Sequence, residues 1–246
     1  MSFATTLNNR IRAHSNQIFV ERHWLNLPNP IPRDLHVSFL GEPFAGVLRL
    51  LKHLRERRGI KMPLVGYMMQ TSLLPNGGTV SVAGWTQPVA EPEVAVHMGA
   101  DLPGSADRAA TIAAIGALGP AIELADLNPP PADVEVTLAG NIFHRHVILG
   151  AADRARAGAK LDGLAGLVFR RGAQVARQED LQANIGNIVD IVAHVAGTLG
   201  AHGETLRAGD VIITGSIVPP PLIEADETAF AYTLDPMEKL MVQFSR

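Results

Sequence analysis

Apolar side chains recur along the chain in two rhythms, one at helical spacing and one in short β-rich runs, and the change between them marks out the elements. From Phe44, the positions Phe44, Val47, Leu48, Leu51 and Leu54 follow helical spacing, with Gly59 placed to stop the helix. A second helix is expected from Ser105 as N-cap, carrying Ala110, Ala113, Ile115 and Leu118 as far as Gly119-Pro120. A third runs from Asn187 to Leu199, with Ile188, Ile191, Val192, Val195 and Leu199 on one side and Gly200 as terminator; the glycines of GALG and AGTLG read as helix stops. Elsewhere the pattern shortens to LVGYMM, EVAVHM, AIELAD, HVILG, GLVFRR, DVIITG, TAFAYTL and KLMVQF, separated by Gly and Pro. So many short strands around three helices predict an α+β fold with mostly non-βαβ connections, and LDPMEK reads as a hairpin turn. The Pro- and Asn-rich LNLPNPIPRD reads as a loop, which suggests an N-terminal arm and helix over residues 1–60 and a main domain over 61–246.

Composition narrows the function classes. With 47% hydrophobic and 18% charged residues in 246, the chain has enough apolar surface for a folded core. A net charge of -3 gives no footprint for nucleic acid or an anionic membrane, and the basic run Lys52 to Arg58 reads as the solvated face of its helix. The absence of Cys excludes disulfides, thiolate metal sites and a cysteine nucleophile. No apolar stretch approaches the ~20 residues of a membrane span, and Asn8, Asn9, Arg10, Arg12 and His14 interrupt what would be a signal peptide, so a soluble cytoplasmic protein is expected. There is no G-x-S-x-G elbow, P-loop, H-E-x-x-H or dinucleotide fingerprint.

The residues that ask for an explanation are carboxylates. In AEPEVAVHMGADLP, the period of two puts Glu91, Glu93, Ala95 and His97 on one strand face and Val94, Val96 and Met98 on the other, toward a core. Pro92 has no N–H for a ladder, which suggests an edge or the first residue of a strand. In AIELAD, Glu123 sits among apolar neighbours, where a carboxylate is costly unless paired or metal-bound. Glu-x-Glu alone fits an exposed strand face equally well, but a third carboxylate beside it would make an all-oxygen site for a divalent cation.

The order of the phrases resembles the fumarylacetoacetate hydrolase superfamily, in particular its 2-keto-4-pentenoate hydratase and 4-oxalocrotonate decarboxylase branch, over roughly residues 60 to 246. VGYMMQTS, EPEVAVHMGADLP, AIELAD, LAGNIFHRHVILG and the long segment ending in LRAGDVIITGS come in the family's order. The resemblance implies a mixed β-sandwich roll with a few flanking helices, in which Glu91, Glu93 and Glu123 hold Mg2+ or Mn2+. It also implies a 2-oxo or 2-hydroxy-dienoic acid substrate, chelated through its carboxylate and C2 oxygen. Hydration and decarboxylation share a dienolate, so one scaffold can host either. A homo-oligomer is implied as well.

The chain departs from the family pattern where a lysine is expected: Met68 stands there, after Gly66 and Tyr67, with Lys61 the nearest lysine. The family's Asp-Asn is Gly140-Asn141, followed by Phe143, His144, Arg145 and His146. By strand period His144 and His146 share one face and Arg145 the other with Asn141; a histidine here suits proton transfer near pH 7 and the arginine a carboxylate clamp. Each reads equally as an ordinary strand residue, as does His97. Asp126 matches the family's acidic residue after the third ligand and fits either a hydrogen-bonding support or a turn, while Thr214, Gly215 and Ser216 fit either a backbone approach to substrate or a tight turn. The reading is a metal-dependent lyase, with a carbon-carbon bond hydrolase of a diketo acid, or a non-catalytic subunit partnered with an active homologue, as alternatives.

Overall fold

The computed structural model describes residues 65–127, 143–201 and 203–246, apart from Tyr67. The expected N-terminal arm and helix, with Lys61 and Asn141, lie outside the described residues.

Among the described residues, ten strands form two five-stranded sheets. The first, in the order β1-β5-β4-β3-β8, contains β1 (Leu73–Leu74), β3 (Pro88–Met98), β4 (Ile115–Asp126), β5 (His144–Leu149) and β8 (Val211–Ser216). The second, in the order β2-β10-β9-β6-β7, contains β2 (Thr79–Ser81), β6 (Ala165–Arg170), β7 (Ala173–Gln178), β9 (Ala229–Asp235) and β10 (Lys239–Ser245). The described residues also form two α-helices, α1 (Arg108–Ala114) and α2 (Ile188–Ala201).

Alternation explains the layering. Val94, Val96 and Met98 of β3, Ile122 and Leu124 of β4 and Ile148 of β5 share one core with Phe230, Tyr232 and Leu234 of β9 and Leu240, Val242 and Phe244 of β10. The interleaved residues of β10 are exposed, so that strand shows the period of a half-buried sheet. α2 closes one side of the core with Ile188, Ile191, Val192, Val195 and Leu199. The opposite face of the first sheet carries a smaller apolar cluster of Met68, Ala95, Ala121, Val147, Val211 and Ile213.

Several expected elements take another form. The helix expected from Ser105 to Leu118 is N-capped by Asp107, whose carboxylate accepts from Ala110 N–H at 2.8 Å, and it ends at Ala114. Ile115 and Leu118 belong to β4, because a ladder of eleven residue pairs with β3 satisfies more backbone than another helical turn would. Gly116 is no helix stop: a Cβ there would come 2.7 Å from Gly99 Cα, so the glycine permits a close strand crossing. Likewise Gly200 lies inside α2, packed on Gly104. Val65, Gly66, Met68 and Met69 form no strand; the chain there enters a 3-10 turn over Gln70–Ser72 before β1. β1, β2 and β7 were not foreseen: the first two are very short, and β7 is a largely exposed edge with little apolar signal. The hairpin at LDPMEK joins β9 and β10 as expected.

Candidate metal centre

Antiparallel pairing of β3 with β4 sets Glu91 directly opposite Glu123, and Glu93 follows on the same face of β3. All three are buried, at 3%, 0% and 2% exposure, and ligand oxygens of the three lie within 4.8 Å of one another. Like charges placed opposite each other destabilise a ladder, so this arrangement needs compensation. Burial, then the charge of Glu123, pushes the Glu91 carboxyl well above the usual carboxylate range. Glu93 is pushed up by burial, then by Glu123 and Glu91, against a smaller opposing effect of the Gly215 N–H. Among the described residues, Glu91 Oε2 and Glu93 Oε1 are buried without a hydrogen-bond partner.

Pro92 is not at an edge, since β3 lies between β4 and β8. Its carbonyl accepts from Ile217 N–H at 2.9 Å on the β8 side, where the β3–β8 ladder ends, so the missing donor falls where pairing stops. On that side Glu93 pairs with Ser216 and Ala95 with Ile213, which leaves one extra residue in β8. Gly215 occupies the bulge at φ 95, a conformation open to glycine, and its N–H reaches Glu93 Oε2 at 2.6 Å. The neighbouring hydroxyls are used locally: Thr214 donates to Val94 O and Ser216 to Val218 O. Of this trio, only the glycine amide reaches the carboxylate cluster.

The expectation that His144 and His146 share a face is overturned. Leu124 pairs with His146 but Ala125 with His144, so β5 holds an extra residue at Arg145 and the face flips. His144 therefore turns to the carboxylates, with Nδ1 2.5 Å from Glu123 Oε1 and Nε2 3.0 Å from Ser72 Oγ. His146 stacks on Trp85, with ring centroids 6.2 Å apart, and burial lowers its pKa. Arg145 is half-exposed and lies 3.5 Å from Asp126. Asp126 Oδ1 accepts from Thr86 and Gln87 N–H, each at 2.8 Å, which ties down the entry to β3; this is the supporting alternative of the sequence reading.

Met68 and His97 complete that face of the sheet. Met68 is buried in the apolar cluster between Ala95, Ala121 and Val147, so it brings no charge or proton carrier. His97, four residues beyond Glu93 and thus about 13 Å along the strand, lines a separate groove with Arg154, and burial lowers its pKa. Ser72 was missed by sequence reasoning, because nothing in QTS signals a histidine partner. The three glutamates fit a hard divalent cation: they supply an all-oxygen donor set, two of their oxygens lack partners among the described residues, and a cation would offset the cost of ionising three buried carboxylates side by side.

The family model described as fumarylacetoacetate (FAA) hydrolase C-terminal matches residues 44–233. The chain is 28% identical over 200 residues to 2-hydroxyhexa-2,4-dienoate hydratase of Comamonas testosteroni, covering 79% of this chain and 75% of that one. It is also 28% identical over 162 residues to 4-oxalocrotonate decarboxylase of Pseudomonas putida, covering 65% of this chain and 61% of the relative. Among solved structures, 4-oxalocrotonate decarboxylase from Pseudomonas putida G7, complexed with magnesium and adipate, superposes with a TM-score of 0.72 at 21% identity, covering 100% of this chain and 87% of that one. A second structure of that enzyme is complexed with calcium and acetate.

Proposed function

The chain belongs to the fumarylacetoacetate hydrolase C-terminal family, and from that premise we propose that it is a divalent-metal-dependent lyase acting on a 2-hydroxy-dienoate or 2-oxo-enoate, with hydration first and decarboxylation next. The observation that carries the reading is the buried triad Glu91, Glu93 and Glu123, with two unpartnered oxygens. Mg2+ or Mn2+ held there would supply Lewis acidity toward a 2-oxo group. The protein's own part is to hold three carboxylates at a fixed spacing in a site from which they exclude bulk water, with the Gly215 N–H on Glu93 and His144 on Glu123. Arg145, half-exposed in the β5 bulge, is the residue we assign to a substrate carboxylate.

His144, His146 and Asp126 were candidates for proton transfer, and their contacts rank them. Both ring nitrogens of His144 are engaged, His146 faces the other way, and Asp126 holds backbone amides. Carbon-carbon bond hydrolysis calls for the same activation of water as hydration, and the hydrolase reading ranks behind the lyase because the two relatives named above are a hydratase and a decarboxylase. The non-catalytic subunit draws support from one observation: a buried Met68 stands where the family resemblance calls for a lysine. A homo-oligomer in the cytoplasm is the setting we propose; among the described residues no helix is long and apolar enough to cross a membrane.

The test is electron paramagnetic resonance of Mn2+ titrated into wild type and Glu93→Gln, followed by product analysis with 2-hydroxy-dienoates. Saturable binding of about one ion per chain that the substitution abolishes is expected. One product with water added identifies hydration, released CO2 identifies decarboxylation, and two fragments identify hydrolysis. An absence of specific Mn2+ binding to wild type overturns the lyase reading; binding without turnover, with activity appearing only alongside a homologous subunit, supports the second.

A further inference from the structure

Among the described residues, His144 is the side chain from outside the triad that hydrogen-bonds to it, and its hydrogens can be placed from its neighbours. The Ser72 hydroxyl donates its one hydrogen to Met69 O at 2.7 Å. At 3.0 Å from His144 Nε2 it can therefore only accept, which puts a hydrogen on Nε2. The 2.5 Å contact between Nδ1 and Glu123 Oε1 also needs one hydrogen between its atoms. Neither ring nitrogen is left to face a substrate.

The backbone is bent to make this contact. Phe143, the residue before His144, has φ 73, a left-handed region that a non-glycine residue enters only under strain. Arg145, the residue after it, is the extra one in the β5 bulge, without which His144 would face the core between the sheets. A strained residue and a bulge on either side of one side chain mark a position set for its contact.

We propose that His144, held by Ser72, is a positioning residue that occupies Glu123 Oε1, so that Glu123 offers a bound cation one oxygen and not two. This rests on the metal-site reading above. Glu93 is restricted in the same way, its Oε2 being taken by the Gly215 N–H. Carboxylates limited to one oxygen each suit a small, six-coordinate ion such as Mg2+ or Mn2+, whereas Ca2+ takes more oxygens and often binds a carboxylate through both. His144 thereby sets the preference of the site for the smaller ion.

Two substitutions separate the two ring nitrogens. In His144→Asn the amide nitrogen falls near the place of Nδ1 and still donates to Glu123; in His144→Gln the amide reaches toward Ser72 and releases Oε1. Mn2+ binding is read by electron paramagnetic resonance, with Ca2+ as competitor and the melting temperature of the metal-free protein as a check on folding. His144→Asn is expected to keep Mn2+ affinity within about threefold, while His144→Gln weakens it ~10- to 100-fold and narrows the preference for Mn2+ over Ca2+. Ser72→Ala, a smaller change, should fall between them. If wild type binds Mn2+, Glu93→Gln does not, and the two His144 variants match wild type or decline together with unchanged selectivity, the role of His144 is refuted while the metal site stands. Failure of wild type to bind overturns both.

Discussion

Glu93→Gln should make the metal-free protein more stable while abolishing metal binding. The three carboxylates have ligand oxygens within 4.8 Å of one another. At an effective dielectric of about 20, two unit charges at that separation repel by about 3.5 kcal/mol, so three ionised groups would hold about 10 kcal/mol of repulsion. Retaining a proton on one of them, against an ordinary value of 4.5, costs about 4 kcal/mol at about pH 7.5. Protonation is the smaller cost, and it limits what a neutral amide at position 93 can relieve. Glutamine keeps an acceptor for the Gly215 N–H and presents its own N–H groups to Glu91 and Glu123, so a gain of roughly 2–4 kcal/mol is expected near neutral pH.

The pH dependence fixes the sign. The folded-state value of Glu93 is raised, so its stabilising contribution is complete below 4.5 and is lost as pH rises through the raised value. Glutamine does not titrate, and the advantage of the variant should therefore vanish near pH 4.5 and grow upward from there. Urea denaturation in the presence of a chelator, over that pH range, measures it. Adding Mn2+ at about a hundredfold its dissociation constant should raise wild type by about 2.7 kcal/mol and leave the variant unchanged. A metal-free Glu93→Gln less stable than wild type near neutral pH would refute the reasoning.

Three further changes probe the supports of the site. Gly215→Ala forces a side chain into φ 95 and should cost about 1–3 kcal/mol in chemical denaturation, with weaker Mn2+ binding as the amide leaves Glu93. Asp126→Ala leaves the Thr86 and Gln87 N–H groups without their acceptor, so a loss of at least about 2 kcal/mol is expected, with the Mn2+ affinity of the folded fraction retained. Tyr232→Phe removes a fully buried hydroxyl that has no hydrogen-bond partner among the described residues; thermal denaturation should show a gain of about 1–3 kcal/mol, and a loss would point to a partner for that hydroxyl.

What could be read from the sequence was whatever depends on local period and on residue type. Alternation along EVAVHM separates Glu91 and Glu93 from Val94, Val96 and Met98, and the folded β3 keeps that division because a strand has two faces wherever it lies. The carboxylate chemistry of Glu123 and the α2 stripe were legible for the same reason. Tertiary structure decided what depends on pairing between distant segments. Ile115 and Leu118 carry a helical spacing, yet they join a strand because β3 lies alongside to satisfy their backbone. The bulge at Arg145 reverses the face of one histidine and the bulge at Gly215 aims an amide at Glu93, and neither departs from a strand pattern in the sequence. Ser72 meets His144 across 72 residues, a contact that only the folded sheet creates. Residue chemistry thus singled out the three carboxylates, while register determined which neighbours orient them.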